Sequence, residues 1–241
     1  MDTTELLPGV LQMFRFGLGQ AYLWQDRDAL TLIDTGPPGH GPGIAAALAA
    51  LGRRPADLDR IILTHFHGDH AGSAAEMAAG TGAAVLAHRC DAPVIRGEMP
   101  APPPDLTAGE RALHGRITAA AGGLPAAPPC RVDRELAEGD LLDLGGGAAV
   151  IGVPGHTDGS IALHLPAHRL LFTGDSVAGA PDGRVILGPF NVDRDQAIGS
   201  FRTLAGLDVD MACFGHGGPV LADASAALRE ALQREPFRAA H

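Results

Sequence analysis

Hydrophobic positions come in short bursts at the start of the chain. VLQMFRF (10–16), QAYLW (20–24) and ALTLIDTG (29–36) are apolar or alternate with polar residues, with glycine or charged turns between them. Bursts of that length predict strands, and three in succession predict an N-terminal β-meander. The period then changes. GIAAALAALG (43–52) reads as a helix ending at Gly52, RIILT (60–64) as a buried strand, AGSAAEMAAG (71–80) as a second helix and AAVLA (83–87) as another strand. That β-α-β-α-β order predicts an α/β domain.

Residues 91–130 break the rhythm. EMPAPPPDLTAGE and GGLPAAPPC are rich in proline, alanine and glycine, and GERALHGRITAAA (109–121) carries the one helical pattern between them. Such text predicts a lid or insertion with no part in the core. Strands resume at AAVIGV (148–153), SIALHLP (160–166), RLLFTG (169–174) and MACFG (211–215), with helices at RDQAIGSFRTLAGL (194–207) and DASAALREALQ (223–233). The second half resembles the first in its order of elements, and no repeat of solenoid period is present. A single domain over 1–241 is expected.

Composition narrows the class. With 241 residues, 46% of them hydrophobic, a sizeable core is possible, and no apolar run is long enough to span a bilayer. The start, MDTTELLPGV, lacks a basic flank and an apolar stretch, so a cytoplasmic protein is expected. A net charge of -10 argues against nucleic acid or anionic membrane as partner, because a polyanion would meet a repulsive mean field. Cys90, Cys130 and Cys213 show no CxxC spacing and read as free thiols, with a Cys90–Cys130 bridge the lesser alternative.

The chemistry concentrates at IILTHFHGDHAG (61–72), where His65, His67, Asp69 and His70 follow a buried strand. Residues two apart in extended chain point to the same side, so His65 and His67 can reach one ion. Asp69 and His70 sit where the chain turns into a helix, within reach of a second. Lone histidines are usually ordinary core or surface residues, and His40, His88, His114, His164, His168 and His241 are left as such. Four ligand types in six positions are not explained that way. Further donors follow strands elsewhere: His156 in VPGHTDGS, Asp175 in LLFTGDS and His216 in ACFGHGGP, each after a glycine that lets the backbone turn. Asp34 in IDTG either supports the site from behind or caps a turn.

The ordered set THFHGDH, GHT, TGD and GHG, with LTLIDTG upstream, resembles the metallo-β-lactamase fold superfamily over nearly the whole chain. The resemblance implies an α/β four-layer αβ/βα sandwich of two mixed sheets flanked by helices. It also implies that His65, His67 and His156 hold one metal, that Asp69, His70 and His216 hold another, and that Asp175 bridges them. The cofactor expected is two divalent ions, zinc first, with iron and manganese also suited to histidine and carboxylate donors.

Two such ions with Asp69, Asp175 and a bridging hydroxide keep a net charge near +1, which favours a transition state gaining negative charge. The expected activity is hydrolysis of a small ester, lactone or thioester by that hydroxide, with Asp69 also carrying a proton to the leaving group. Departures from relatives narrow the field. Exported β-lactamases of this fold lack the bridging aspartate, and the helical C-terminal domain of the longer glyoxalase II enzymes has no counterpart in the 25 residues after His216. Acyl-homoserine lactonases use a tyrosine near the bridging aspartate, and the only tyrosine here is Tyr22. Nucleases of the superfamily add a domain or basic arm, and flavodiiron proteins replace the second histidine by glutamate. The alternative is an oxygenase resembling mononuclear iron persulfide dioxygenases.

Substrate contacts are expected from Arg184, Leu187 and Phe190 in the loop after Asp175, AGAPDGRVILGPFNVDRD (178–195). Arg96, Arg111, Arg116 and His114 in the lid either anchor an acidic group or solvate a helix face. The partner is a small-molecule substrate, and homodimerisation is left open.

Overall fold

A computed structural model describes residues 1–27, 29–121, 123 and 126–234, so His241 and part of the lid segment lie outside the described residues. The chain divides into two compact units, the first formed by Met1–Pro102 and Arg111–Ala137, the second by Pro103–Glu110 and the chain from Glu138 onward.

The first unit is built on seven strands in sequential order: β1 (Asp2–Leu7), β2 (Leu11–Arg15), β3 (Gln20–Gln25), β4 (Leu30–Ile33), β5 (Leu58–Leu63), β6 (Ala84–His88) and β7 (Arg134–Leu136). β2 to β4 form the expected antiparallel meander, β1 adds an antiparallel edge strand the sequence did not announce, and β4 to β7 run parallel. Parallel neighbours need crossovers. α1 (Gly41–Ala50) links β4 to β5, and α2 (Gly68–Ala71) and α3 (Ala74–Thr81) link β5 to β6. α4 (Ala92–Ile95) and α5 (Ala108–Ala121) lie between β6 and β7.

Alternate residues of the strands, Phe14, Leu23, Leu32, Ile61, Leu63 and Val85, pack with Ile44 and Leu48 of α1 and Met77 of α3. Ile44 and Leu48 are one turn apart, so α1 presents both to one face of the sheet. Fully burying a side chain of this size contributes about 2 kcal/mol. Beyond α1, Gly52 adopts φ +74°, and the Arg53 N–H returns to the Leu48 carbonyl, which closes the helix where the sequence predicts its end.

The lid expectation fails at three residues. Ala92, Ile95 and Cys130 are buried, and the Cys130 N–H donates to the Ile95 carbonyl, so both edges of the proline-rich segment belong to the core. Composition hid this because isolated apolar residues between prolines carry no period.

The second unit contains β8 (Leu141–Leu142), β9 (Ala148–Gly152), β10 (Ile161–Leu165), β11 (Leu170–Phe172), β12 (Val177–Gly179), β13 (Val185–Leu187), α6 (Arg194–Ala205), β14 (Met211–Cys213) and α7 (Ala224–Gln233). Five strands form a mixed sheet in the order β14-β11-β10-β9-β8, parallel only between β11 and β14, while β12 and β13 make a separate ribbon. Ala162, Leu171 and Ala212 of the sheet pack with Phe201 and Leu204 of α6 and Leu228 of α7. Asp193 caps α6 by accepting the Gln196 N–H at 2.9 Å.

Candidate metal centre

In the first unit the ligand types gather where parallel strands end, the usual place for a site in an open α/β sheet. β4 and β5 are in register at Ile33 and Ile62, so Asp34 leaves β4 opposite Leu63, one residue before Thr64. Asp34 takes a left-handed backbone, φ +58°, and its N–H donates to the Ile62 carbonyl at 2.9 Å. Its carboxylate, on a residue only 3% exposed, accepts from the Thr64 N–H and the Thr64 hydroxyl, both at 2.8 Å, and from His70 Nδ1 at 2.9 Å.

These bonds fix protons. A carboxylate only accepts, so His70 donates from Nδ1, and its neutral ring has the lone pair on Nε2. The Thr64 hydroxyl donates its proton to Asp34 and therefore accepts from His65 Nδ1 at 3.0 Å, which leaves His65 with its lone pair on Nε2 as well. Asp34 thus sets the tautomer of two imidazoles, one directly and one through Thr64. Of its two readings from sequence, the hydrogen bonds match support from behind the site.

The rings of His65 and His67 meet edge to face at 4.8 Å, and those of His65 and His70 lie 4.2 Å apart. His70 Nε2 lies 3.8 Å from Asp69 Oδ2. With His70 as the neutral imidazole, a cation between these two groups would be favoured by both. Behind them, Gly19 is pressed against Asp69, where an added Cβ would stand 2.5 Å from the Asp69 carbonyl oxygen.

In the second unit, β11 and β14 pair Phe172 with Cys213. Asp175 and His216 each follow three residues later, so a shared register delivers both to one edge. The Gly215 N–H donates to the Gly174 carbonyl at 2.9 Å and holds the two turns together. Asp175 Oδ2 stands 3.2 Å from His216 Nε2 and 3.6 Å from His156 Nε2. The Asp175 backbone has no slack, because a Cβ at Gly188 would fall 1.6 Å from its carbonyl oxygen.

Both clusters fit divalent metal on the chemistry of their donors: imidazoles gathered beside a carboxylate in each, with the tautomers of His65 and His70 fixed. Thiol chemistry has no comparable support. All three cysteines are free, so Cys90 and Cys130 are not bridged, and burial pushes the Cys130 and Cys213 thiols up, away from the reactive thiolate.

Other sequence expectations fall differently. Leu187 is 7% exposed and sits in the hydrophobic cluster with Phe201, whereas Phe190 is half-buried with φ +65°. Arg184 is exposed and pairs with Asp182 at 2.7 Å, and Arg96 pairs with Glu98 and Glu135, each at 2.8 Å. Sequence reasoning did not single out Thr64, whose only signal was its place inside the motif, or Asp91, which accepts the Phe66 N–H at 3.0 Å from 25 residues away.

Residues 14–216 match the family model of the metallo-beta-lactamase superfamily, and the chain belongs to that superfamily. The hydroxyacylglutathione hydrolase of Cereibacter sphaeroides is 34% identical over 177 residues, covering 73% of this chain and 54% of the relative. That of Ruegeria pomeroyi is 34% identical over 203 residues, covering 81% of this chain and 61% of the relative. The chain spans little more than half the length of these hydrolases. The uncharacterized protein YobT of Bacillus subtilis is 30% identical over 224 residues, 88% of each chain.

A metallo-beta-lactamase family protein from Thermus thermophilus superposes with TM-score 0.67 at 25% identity, covering 94% of this chain and 79% of the other. The fold is the α/β metallo-β-lactamase fold, with two mixed sheets and accompanying helices. Among the described residues no helix is long and apolar enough to cross a membrane.

Proposed function

We propose that the two clusters close on one pair of divalent ions, zinc in the first instance, and that the protein hydrolyses a small acyl ester, lactone or thioester, with the thioester favoured. In this reading His65, His67 and His156 would hold one ion, Asp69, His70 and His216 would hold the other, and Asp175 would serve both. The observation that carries it is the Asp34 hydrogen-bond set, which presents Nε2 lone pairs from both His65 and His70. The hydrolase relatives favour the thioester, since an acyl group on glutathione is attached through sulfur.

Bound metal supplies Lewis acidity and a hydroxide nucleophile near neutral pH. The protein supplies the geometry. Asp34 and Thr64 keep the histidines as lone-pair donors, and Asp175 offsets positive charge from a position 6% exposed. Asp69, partly exposed beside His70, is placed to pass a proton to the leaving sulfur or oxygen. Half-buried Phe190 supplies apolar surface from the segment after Asp175, while Leu187 is held in the hydrophobic cluster. Arg184 reaches an acidic substrate group only by exchanging it for Asp182.

The test is metal content of the purified chain, followed by turnover of thioesters, lactones and esters after reconstitution. About two divalent ions per chain and chelator-sensitive thioester hydrolysis are expected. About one iron with oxygen uptake on persulfides would replace the hydrolase reading by an oxygenase. The proton role has its own check: Asp69→Asn is expected to lower kcat by about 100-fold. A variant that keeps both metals and full turnover would remove Asp69 from proton transfer.

A further inference from the structure

Between the ligands His65 and His67 lies Phe66, whose ring also meets the His67 ring edge to face at 4.7 Å. Its ring, 6% exposed, packs into the core cluster that also contains Ile95 and Ala87. Its N–H donates to Asp91 Oδ2 at 3.0 Å. Asp91 is itself 1% exposed and held from both sides, its N–H by the His88 carbonyl and its carbonyl by the Ile95 N–H, each at 3.0 Å. The carboxylate therefore stands as a fixed post at the end of β6, opposite the segment that leaves β5. The two strands are in register at Leu63 and Ala87, so the post meets the chain between the two histidines.

We propose that Asp91 is a positioning residue for the metal held by His65 and His67. The chain bends over Thr64–Phe66 where β5 ends, so tying the Phe66 amide to Asp91 and its ring to the core fixes the stretch of backbone from which both imidazoles project. The His65 and His67 rings stand 4.8 Å apart at 88°, a relation their own side chains cannot hold without the backbone between them. Asp34 performs a different task, since it sets tautomers through the imidazole edges of His65 and His70. Asp91 sets spacing. The proposal rests on the reading of His65 and His67 as ligands of one ion and His70 as ligand of the other.

The experiment is equilibrium competition for zinc between the full chain and a chromophoric chelator, with no activity assay required. Asp91→Ala is expected to loosen one of two zinc ions by about 10- to 100-fold, the usual effect of removing a group that orients a ligand, while the other stays within about threefold. Asp91→Asn retains an oxygen that accepts the Phe66 N–H, so both of its ions are expected to bind within about threefold of the original chain. Wild-type affinity for both ions in Asp91→Ala would overturn the proposal. So would equal loosening of both ions, which marks a general loss of structure, or an Asp91→Asn variant as weak as Asp91→Ala. If Asp91→Ala does not fold, Asp91→Leu fills the same space without an acceptor, with the same loosening of one ion expected. An unaltered chain that binds no divalent metal would remove the metal reading along with this one. Two ions bound normally in Asp91→Ala would remove this inference alone.

Discussion

His67→Ala is expected to remove metal and hydrolysis together while the chain stays folded. His67 is partly exposed, its ring meets those of His65 and Phe66 edge to face, and its carbonyl accepts the His70 and Ala71 N–H groups at 3.0 and 2.8 Å. Alanine preserves those bonds, so the stability cost should stay within about 1 kcal/mol. The imidazole is a different matter. A site that loses one of three protein donors to an ion loses the ion or holds it in the wrong place, and turnover should fall by at least about 10³-fold. Metal content and the thermal melt of the same preparation check both halves. A folded variant with metal and turnover intact would exclude His67 from the centre.

Asp34 should show an effect of comparable size from outside the ligand set. Asp34→Ala removes the acceptor from three buried donors at once: the Thr64 N–H, the Thr64 hydroxyl and His70 Nδ1. Leaving buried donors without partners costs about 1–3 kcal/mol each, so a loss of about 3 kcal/mol or more is expected in a denaturant melt of the metal-free chain. Alanine is also poorly suited to the φ of +58° at this position.

Asp34→Asn is the sharper variant. Asparagine tolerates the left-handed backbone, but one side of its amide faces the Thr64 N–H and the other faces His70 Nδ1. Either orientation sets an NH2 group against a donor. Relief requires His70 to move its proton to Nε2, which removes the lone pair that would bind metal. Zinc affinity should then fall by about 10- to 100-fold, with a smaller loss of stability than alanine gives. Unchanged affinity in both variants would show that the Asp34 bonds do not govern the ligands.

Much of the architecture and the ligand chemistry was legible in sequence because both depend on local rules. Alternation marked β2, β3 and β4, a run of apolar residues marked β5, and an alanine- and leucine-rich run ending in glycine marked α1. His65, His67, Asp69 and His70 fall within six positions because a strand end and the following helix start bring them together without help from distant chain. Glycine before His156, Asp175 and His216 signalled turns at three further strand ends.

Tertiary structure decided what depends on contacts between distant segments. β1 is an exposed edge, and β7, β8, β12 and β13 are only two or three residues long, so pairing with a neighbour makes them strands and no pattern of their own announces them. Ile95 and Cys130 entered the core from a segment whose composition predicted a lid. A motif names the atoms able to bind a metal. The proton positions and spacing of those atoms come from Asp34, 30 residues before Thr64, and Asp91, 25 residues after Phe66, because only the parallel pairing of β4, β5 and β6 brings those carboxylates to the histidines.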